Sequence, residues 1–160
     1  MCGITLICVG KLKEKYYGDA FAEYQKRLGA FCRFELEEIP EQRLGDDPGA
    51  REIAAALEKE AAEIEKRIPT GAAVVALCVE GKSMSSPALA AQMKNWMNTG
   101  KSRICFIVGG SFGMSERIKA RADLKLSVSE MTFPHHLFRV MLAEQIYRAF
   151  TILEGSRYHK

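Results

Sequence analysis

The sequence predicts an α/β fold built on a mostly parallel sheet. Segments with strand character and segments with helical period alternate about five times along the chain, the pattern of strand–helix units. Two of the strand segments, Ala72–Val79 and Ile104–Val108, are nearly unbroken apolar runs, as expected of strands covered on both faces. Glycine-bearing or irregular loops follow two apolar strands in the last third of the chain, and open α/β sheets bind ligands at strand carboxyl ends.

Each element has its own local reason. Gly3 to Gly10 is a short apolar run bounded by glycines and reads as a buried strand. From about Leu12 to Leu28, Tyr17, Phe21, Tyr24 and Leu28 recur at helical spacing. A strand begins at Phe34-Glu35-Leu36-Glu37 and ends at Pro40, and a polar loop, Glu41 to Gly49, follows. Ala50 to Ile68 is rich in Ala, Glu and Lys, which are strong helix formers. Pro69-Thr70-Gly71 stops that helix, and the Ala72–Val79 strand follows. Ser86-Pro87 reads as a helix start, with Ser86 as N-cap and Pro87 first in the helix. This helix runs to about Asn98 and stops near Gly100. Strand Ile104–Val108, a short helix after Ser115, strand Leu124–Ser127 and a long helix from about His135 to Leu153 complete the pattern.

At 160 residues, 48% hydrophobic and 27% charged, the chain is expected to form one domain over residues 1–160. No run approaches the roughly 20 apolar residues of a membrane-spanning helix. The opening Met1-Cys2-Gly3-Ile4 lacks the basic and apolar regions of a secretion signal, so a cytoplasmic protein is expected. Five cysteines form no CxxC pair; Cys8, Cys78 and Cys105 lie in apolar runs and read as small buried hydrophobes of a reducing compartment. The three histidines lie far in sequence from the cysteines, so no metal is expected. A net charge of +3 permits RNA binding without demanding it.

The last helix is apolar almost all the way round. Phe138, Leu142, Ile146, Phe150 and Leu153 make one stripe, widened by Leu137, Val140, Met141 and Tyr147. A surface helix of a monomer keeps a polar face; the alternatives are a central core helix in a monomer, for which the chain is small, and the favoured one, a second subunit as partner beside the sheet.

Two loops carry the candidate chemistry. Gly109-Gly110-Ser111-Phe112-Gly113 matches neither GxGxxG nor GxxxxGK[ST], so dinucleotide and phosphate-loop fingerprints are unsupported. Gly109 and Gly110 suit either the framing of an adenosine-like group or a tight strand-to-helix turn without ligand. In the second loop Ser129 and Thr132 offer hydroxyls, while Met131 and Phe133 offer an apolar wall or a core plug. Buried irregular backbone needs hydrogen-bond partners, which a polar ligand supplies.

Taken together, five segments resemble one family. They are Ala73–Lys82, Phe106–Gly113, Met131–Val140, Glu144–Ala149 and the tail Tyr158-His159-Lys160, with Val9-Gly10-Lys11-Leu12-Lys13 near the start. In order and spacing they are similar to the bacterial ribosomal RNA large-subunit methyltransferases H, of the SPOUT class. The resemblance implies a SPOUT-type α/β domain with a carboxyl-terminal trefoil knot, although true knots are rare among folds. It also implies a homodimer and S-adenosyl-L-methionine as cofactor. The implied cofactor contacts are Leu77, Gly109, Val128, Ser129, Glu130, Met131, Thr132 and Phe133. The implied reaction is methylation at N3 of a pseudouridine in 23S rRNA, on assembled ribosomes.

Such a transfer needs nucleophile, methyl carbon and sulfur in line, which is largely a matter of positioning. The imide nitrogen also needs a proton acceptor or a stabiliser of developing charge. His135, Arg139, Arg157, Tyr158 and His159 are the candidates: a histidine to accept the proton, an arginine to stabilise a uracil oxygen. The tail of one subunit is expected to close over the other's pocket, with Tyr158 stacking on a base. A second reading keeps the fold and binds ribosomal RNA without turnover. A third, a nucleotide-binding enzyme of other chemistry, is disfavoured by the missing phosphate and dinucleotide motifs.

Overall fold

A computed structural model describes residues 1–160. In chain order the elements are β1 (Gly3–Val9), α1 (Lys15–Leu28), β2 (Arg33–Ile39), α2 (Ala50–Arg67), β3 (Ala73–Ser83), α3 (Ser86–Asn98), β4 (Arg103–Val108), α4 (Glu116–Arg121), β5 (Leu124–Ser127) and α5 (His135–Leu153). The five strands form one sheet in the order β2-β1-β4-β3-β5, and every pairing is parallel. No helix is long and apolar enough to cross a membrane.

The period of two in the strands sorts their side chains between two cores. Ile4, Leu6, Cys8, Ala73, Val75, Ile104 and Phe106 face α1, α3 and α5. Ile7, Val9, Val74, Ala76, Cys105 and Ile107 face α2 and α4. Both sides being apolar explains the unbroken runs in β3 and β4. Full burial of each large aliphatic side chain contributes about 1.5–3 kcal/mol, so the central strands hold both layers together.

Three boundaries differ from the sequence reading, each for a local reason. Helix α1 starts at Lys15 rather than near Leu12: Glu14 is its extended N-cap, and the Glu14 carboxylate instead meets His136 at 3.0 Å. The N-cap of α3 is Ser85, not Ser86; the Ser85 hydroxyl accepts from the Ala88 N–H at 3.2 Å. That frees the Ser86 hydroxyl to donate to Gln145 Oε1 at 2.6 Å, tying α3 to α5.

Strand β3 extends four residues past Val79, to Ser83. Its register against β5 slips there: Leu77 and Lys82 both pair with Leu126. The slip relies on Gly81, where a Cβ would lie 2.7 Å from the Leu126 carbonyl carbon. Only a residue without a side chain allows backbones that close. Along the excursion Cys78 is half-buried while Val79 and Glu80 are exposed.

Candidate active site

Topology opens the cleft. The helices after β1, β3 and β5 lie on one face of the sheet, while those after β2 and β4 lie on the other. The chain leaving β4 therefore diverges from the chain leaving β3 beside it, and such divergence at strand carboxyl ends leaves a crevice. A cavity of about 580 Å³ occupies it, of the size small-molecule sites have.

Three walls enclose this cavity. The first is the end of β3 and its excursion, Leu77 to Glu80. The second is the turn Gly109–Gly113 after β4. A Cβ on Gly109 would lie 2.3 Å from the Gly113 carbonyl oxygen, so the turn folds onto itself at a position only glycine fits. The third wall is the run from Leu126 to Ser129, then Met131 to His135, with Phe138 one turn into α5. Here the Ser129 hydroxyl accepts from the Met131 N–H at 2.9 Å, and the Ser127 hydroxyl donates to the Ser129 carbonyl at 3.2 Å. Local side-chain bonds of this kind hold loops out of regular structure.

Charge inside the cavity is largely self-cancelling. Lys119 of α4 and Glu80 both line it and pair with each other, and Lys119 also reaches Glu116 at 3.4 Å. The Cys78 thiol is pushed up, first by burial and then by the Glu80 charge, so it stays protonated and is no nucleophile. His135 opens α5 at the cavity edge. Burial first, then the His136 charge, holds its imidazole below the ordinary range. The ring is therefore neutral at pH 7 and free to accept a proton.

Of the residues singled out from sequence, Leu77, Gly109, Val128, Ser129, Met131, Thr132, Phe133 and His135 line this cavity together. Glu130 does not line it. Arg139 is the clear correction. It is 1% exposed; its Nη1 donates to Glu38 Oε2 at 2.6 Å and its Nη2 to the Gly10 carbonyl at 2.9 Å. A guanidinium sealed this way braces α5 against the ends of β1 and β2 and does not line the cavity. Removing one partner of such a pair costs about 3–5 kcal/mol.

The tail lies elsewhere on its own chain, along α5. Tyr158 OH donates to Glu144 Oε1 at 3.1 Å, and Arg148 donates to the same carboxylate at 2.6 Å. The Arg148 guanidinium sits 4.7 Å over the Tyr158 ring, a cation–π distance. Arg148 Nη1 also lies 3.2 Å from His159 Nδ1. Arginine can only donate, so in this contact Nδ1 is the acceptor and Nε2 carries the hydrogen. Burial and then Glu144 push the Tyr158 phenol up to about 12, so it stays protonated. Arg157 is exposed.

Sequence reasoning missed Val79, Glu80 and Lys119 of the lining. Nothing in the sequence signals the register slip that carries the first two there. No cluster of three or more His, Cys, Asp or Glu side chains has the arrangement to hold a metal ion.

The sequence model of a family described as "Predicted SPOUT methyltransferase" matches residues 2–159. The chain is 46% identical over 157 residues to the Ribosomal RNA large subunit methyltransferase H of Clostridium beijerinckii, covering 98% of this chain and 99% of that one. The protein of the same name from Clostridium botulinum (strain Kyoto / Type A2) is likewise 46% identical over 157 residues, with the same coverage. Among solved structures, a probable methylase family protein from Haemophilus influenzae superposes with a TM-score of 0.55 at 11% identity, covering 98% of this chain and 70% of that chain. A probable methyltransferase from Bordetella pertussis gives 0.51 at 12% identity, covering 92% and 95%. At such identities the structures speak for the fold alone. A cleft between diverging strand ends, walled by a glycine turn and an irregular loop, thus belongs to a chain matched nearly end to end by one sequence family: the protein is a member of the SPOUT methyltransferases.

Proposed function

We propose that this protein transfers a methyl group from S-adenosyl-L-methionine to N3 of a pseudouridine in 23S rRNA of the large ribosomal subunit. It does so in the cytoplasm, as a homodimer, on assembled ribosomes. The observation that carries this reading is end-to-end similarity to proteins named as large-subunit rRNA methyltransferases H, in a chain whose matching loops line one cavity.

The cavity suits that cofactor. Leu77, Val108 and Phe138 offer an apolar bed for a purine, and the Gly109–Gly110 backbone leaves peptide groups bare to read its edge. The paired Lys119 and Glu80 offer opposite charges to a zwitterionic amino-acid end. No phosphate motif is present, consistent with a ligand lacking phosphate. S-adenosyl-L-methionine, when bound, supplies an electrophilic methyl carbon.

The remaining work falls to side chains of the protein. His135, neutral and at the cavity edge, accepts the proton that leaves the imide nitrogen. His159, its Nδ1 engaged by Arg148, presents its Nε2–H as a donor to a uracil oxygen where charge develops. Tyr158 provides the stacking face, braced by Glu144 and Tyr147. Since the tail lies along its own α5, it reaches a cavity by crossing to the partner subunit. The half-exposed apolar flank of α5, with Val140 and Met141 in a shallow groove beside Tyr24 and Val128, supports pairing of two chains along this helix. The carboxyl-terminal knot of the class belongs to the same reading.

Mass spectrometry of rRNA from cells lacking this protein tests the proposal. One methyl group should be missing from one pseudouridine and return with the wild-type gene. Unchanged methylation would overturn the activity. Calorimetry with S-adenosylmethionine separates enzyme from non-catalytic factor, since only the enzyme requires that ligand.

A further inference from the structure

The Gly109–Gly113 turn is held from behind by a residue outside the strands that form the cavity. Glu41, in the loop after β2, extends its carboxylate so that Oε1 accepts from the Ser111 N–H at 2.9 Å. The approach is close: a Cβ on Gly110 would lie 2.8 Å from the same oxygen and 3.0 Å from Val9 Cγ1. The second glycine of the turn is thus where the carboxylate passes, a use distinct from framing a ligand.

Glu41 is itself well anchored. The next residue, Gln42, donates its N–H to Glu60 Oε2 at 2.9 Å, and Glu60, on α2, is only 5% exposed. Glu41 Oε2 lies 3.6 Å from where a Cβ on Gly10 would sit, at the end of β1. A chain of contacts thus runs from α2 through Glu60, Gln42 and Glu41 to the backbone of the cavity wall. Hydrogen bonds to an ionised acceptor are stronger than neutral ones, and precise sites depend on such supporting contacts.

We propose that Glu41 is a positioning residue for the methyl-donor site, latching Gly110–Ser111 from its outer side so that the turn presents Gly109 to the donor. This rests on reading the cavity as the donor site. The carboxylate has a second effect: its negative charge favours the protonated form of His135, against the opposing influence of burial, His136 and Arg139, with Glu14 acting in the same sense as Glu41.

The test uses the full-length protein, S-adenosylhomocysteine calorimetry and methylation rates on ribosomes. Glu41→Ala should weaken S-adenosylhomocysteine binding about tenfold, the loss of one charge-assisted hydrogen bond, with thermal stability and oligomeric state kept. Glu41→Gln retains an acceptor oxygen and should bind within about twofold of wild type. Its acid limb of kcat should nevertheless move to lower pH, because His135 loses a nearby negative charge. A role confined to structure would move neither the affinity split between the two variants nor the pH limb. Unchanged affinity in Glu41→Ala, or equal loss in both variants, would overturn the latch while leaving the donor site standing. Absence of binding by the wild-type protein would sink the donor site and the latch with it.

Discussion

The two loops that wall the cavity are built by opposite means. The Gly109–Gly113 turn is closed: Gly110 and Gly113 bridge each other, Gly109 touches Gly113 backbone, and Glu41 clamps Ser111. The Val128–Pro134 loop is open: Val128 and Met131 are exposed, Met131 by 74%, and its internal bonds are two contacts of Ser127 and Ser129. One wall is made before any ligand arrives, and the other has few contacts to hold it. In the proposed site the difference suits the first loop to orienting the donor and the second to closing over it, a division common where a rigid surface meets a mobile one.

The harshest way to probe this contrast leaves both loops intact. Deleting Arg157–Lys160 should abolish methylation of ribosomes while S-adenosylhomocysteine affinity, by calorimetry, stays at the wild-type value; retained turnover would remove the tail from the chemistry. Next in size is Gly109→Ala, which forces a methyl group into Gly113 backbone. Affinity should fall about 100-fold, the cost of overpacking a closed turn, with the oligomeric state of the wild type preserved on gel filtration. An unaffected affinity would show that the turn yields and is not the fixed wall.

Hydrogen exchange supplies a subtler comparison. On adding S-adenosylhomocysteine, amides 128–133 should slow markedly while those of 109–113 change little, and equal protection of both loops would erase the distinction. Ser129→Ala removes a single acceptor, for the Met131 N–H, and should weaken binding only about two- to fivefold, within the range of one neutral hydrogen bond. The smallest effect concerns Glu60, whose carboxyl is raised by burial, partly offset by the Gln42 N–H. A raised native value means that the folded chain holds this proton after the unfolded one has lost it. Wild-type stability should therefore decline as pH rises from the usual glutamate range through the native value of Glu60. In Glu60→Gln that component of the slope should vanish, as denaturant melts across acid to neutral pH would show.

Local chemistry made much of this legible in the sequence. Pro134 ahead of His135, Ser115 ahead of Glu116 and Pro69-Thr70-Gly71 ahead of β3 mark boundaries that the structure keeps. Both walls were visible as loops after apolar strands. The features that escaped depend on contacts distant in sequence. The extension of β3 needs Gly81 against Leu126, and nothing near Gly81 records that neighbour. Arg139 reads in sequence as a candidate to stabilise a uracil oxygen; the structure gives it instead to Glu38, about a hundred residues earlier. Glu41 lies in a loop that sequence alone leaves featureless, seventy residues before the amide it holds.

The sealed Arg139 joins α5 to the first two strands, and so couples the two ends of the sequence through one buried cation. Glu38 and the Gly10 carbonyl receive their cation only when α5, about a hundred residues further along, is in place. The cavity, whose third wall leads into that helix, thus takes its finished shape only once α5 has docked.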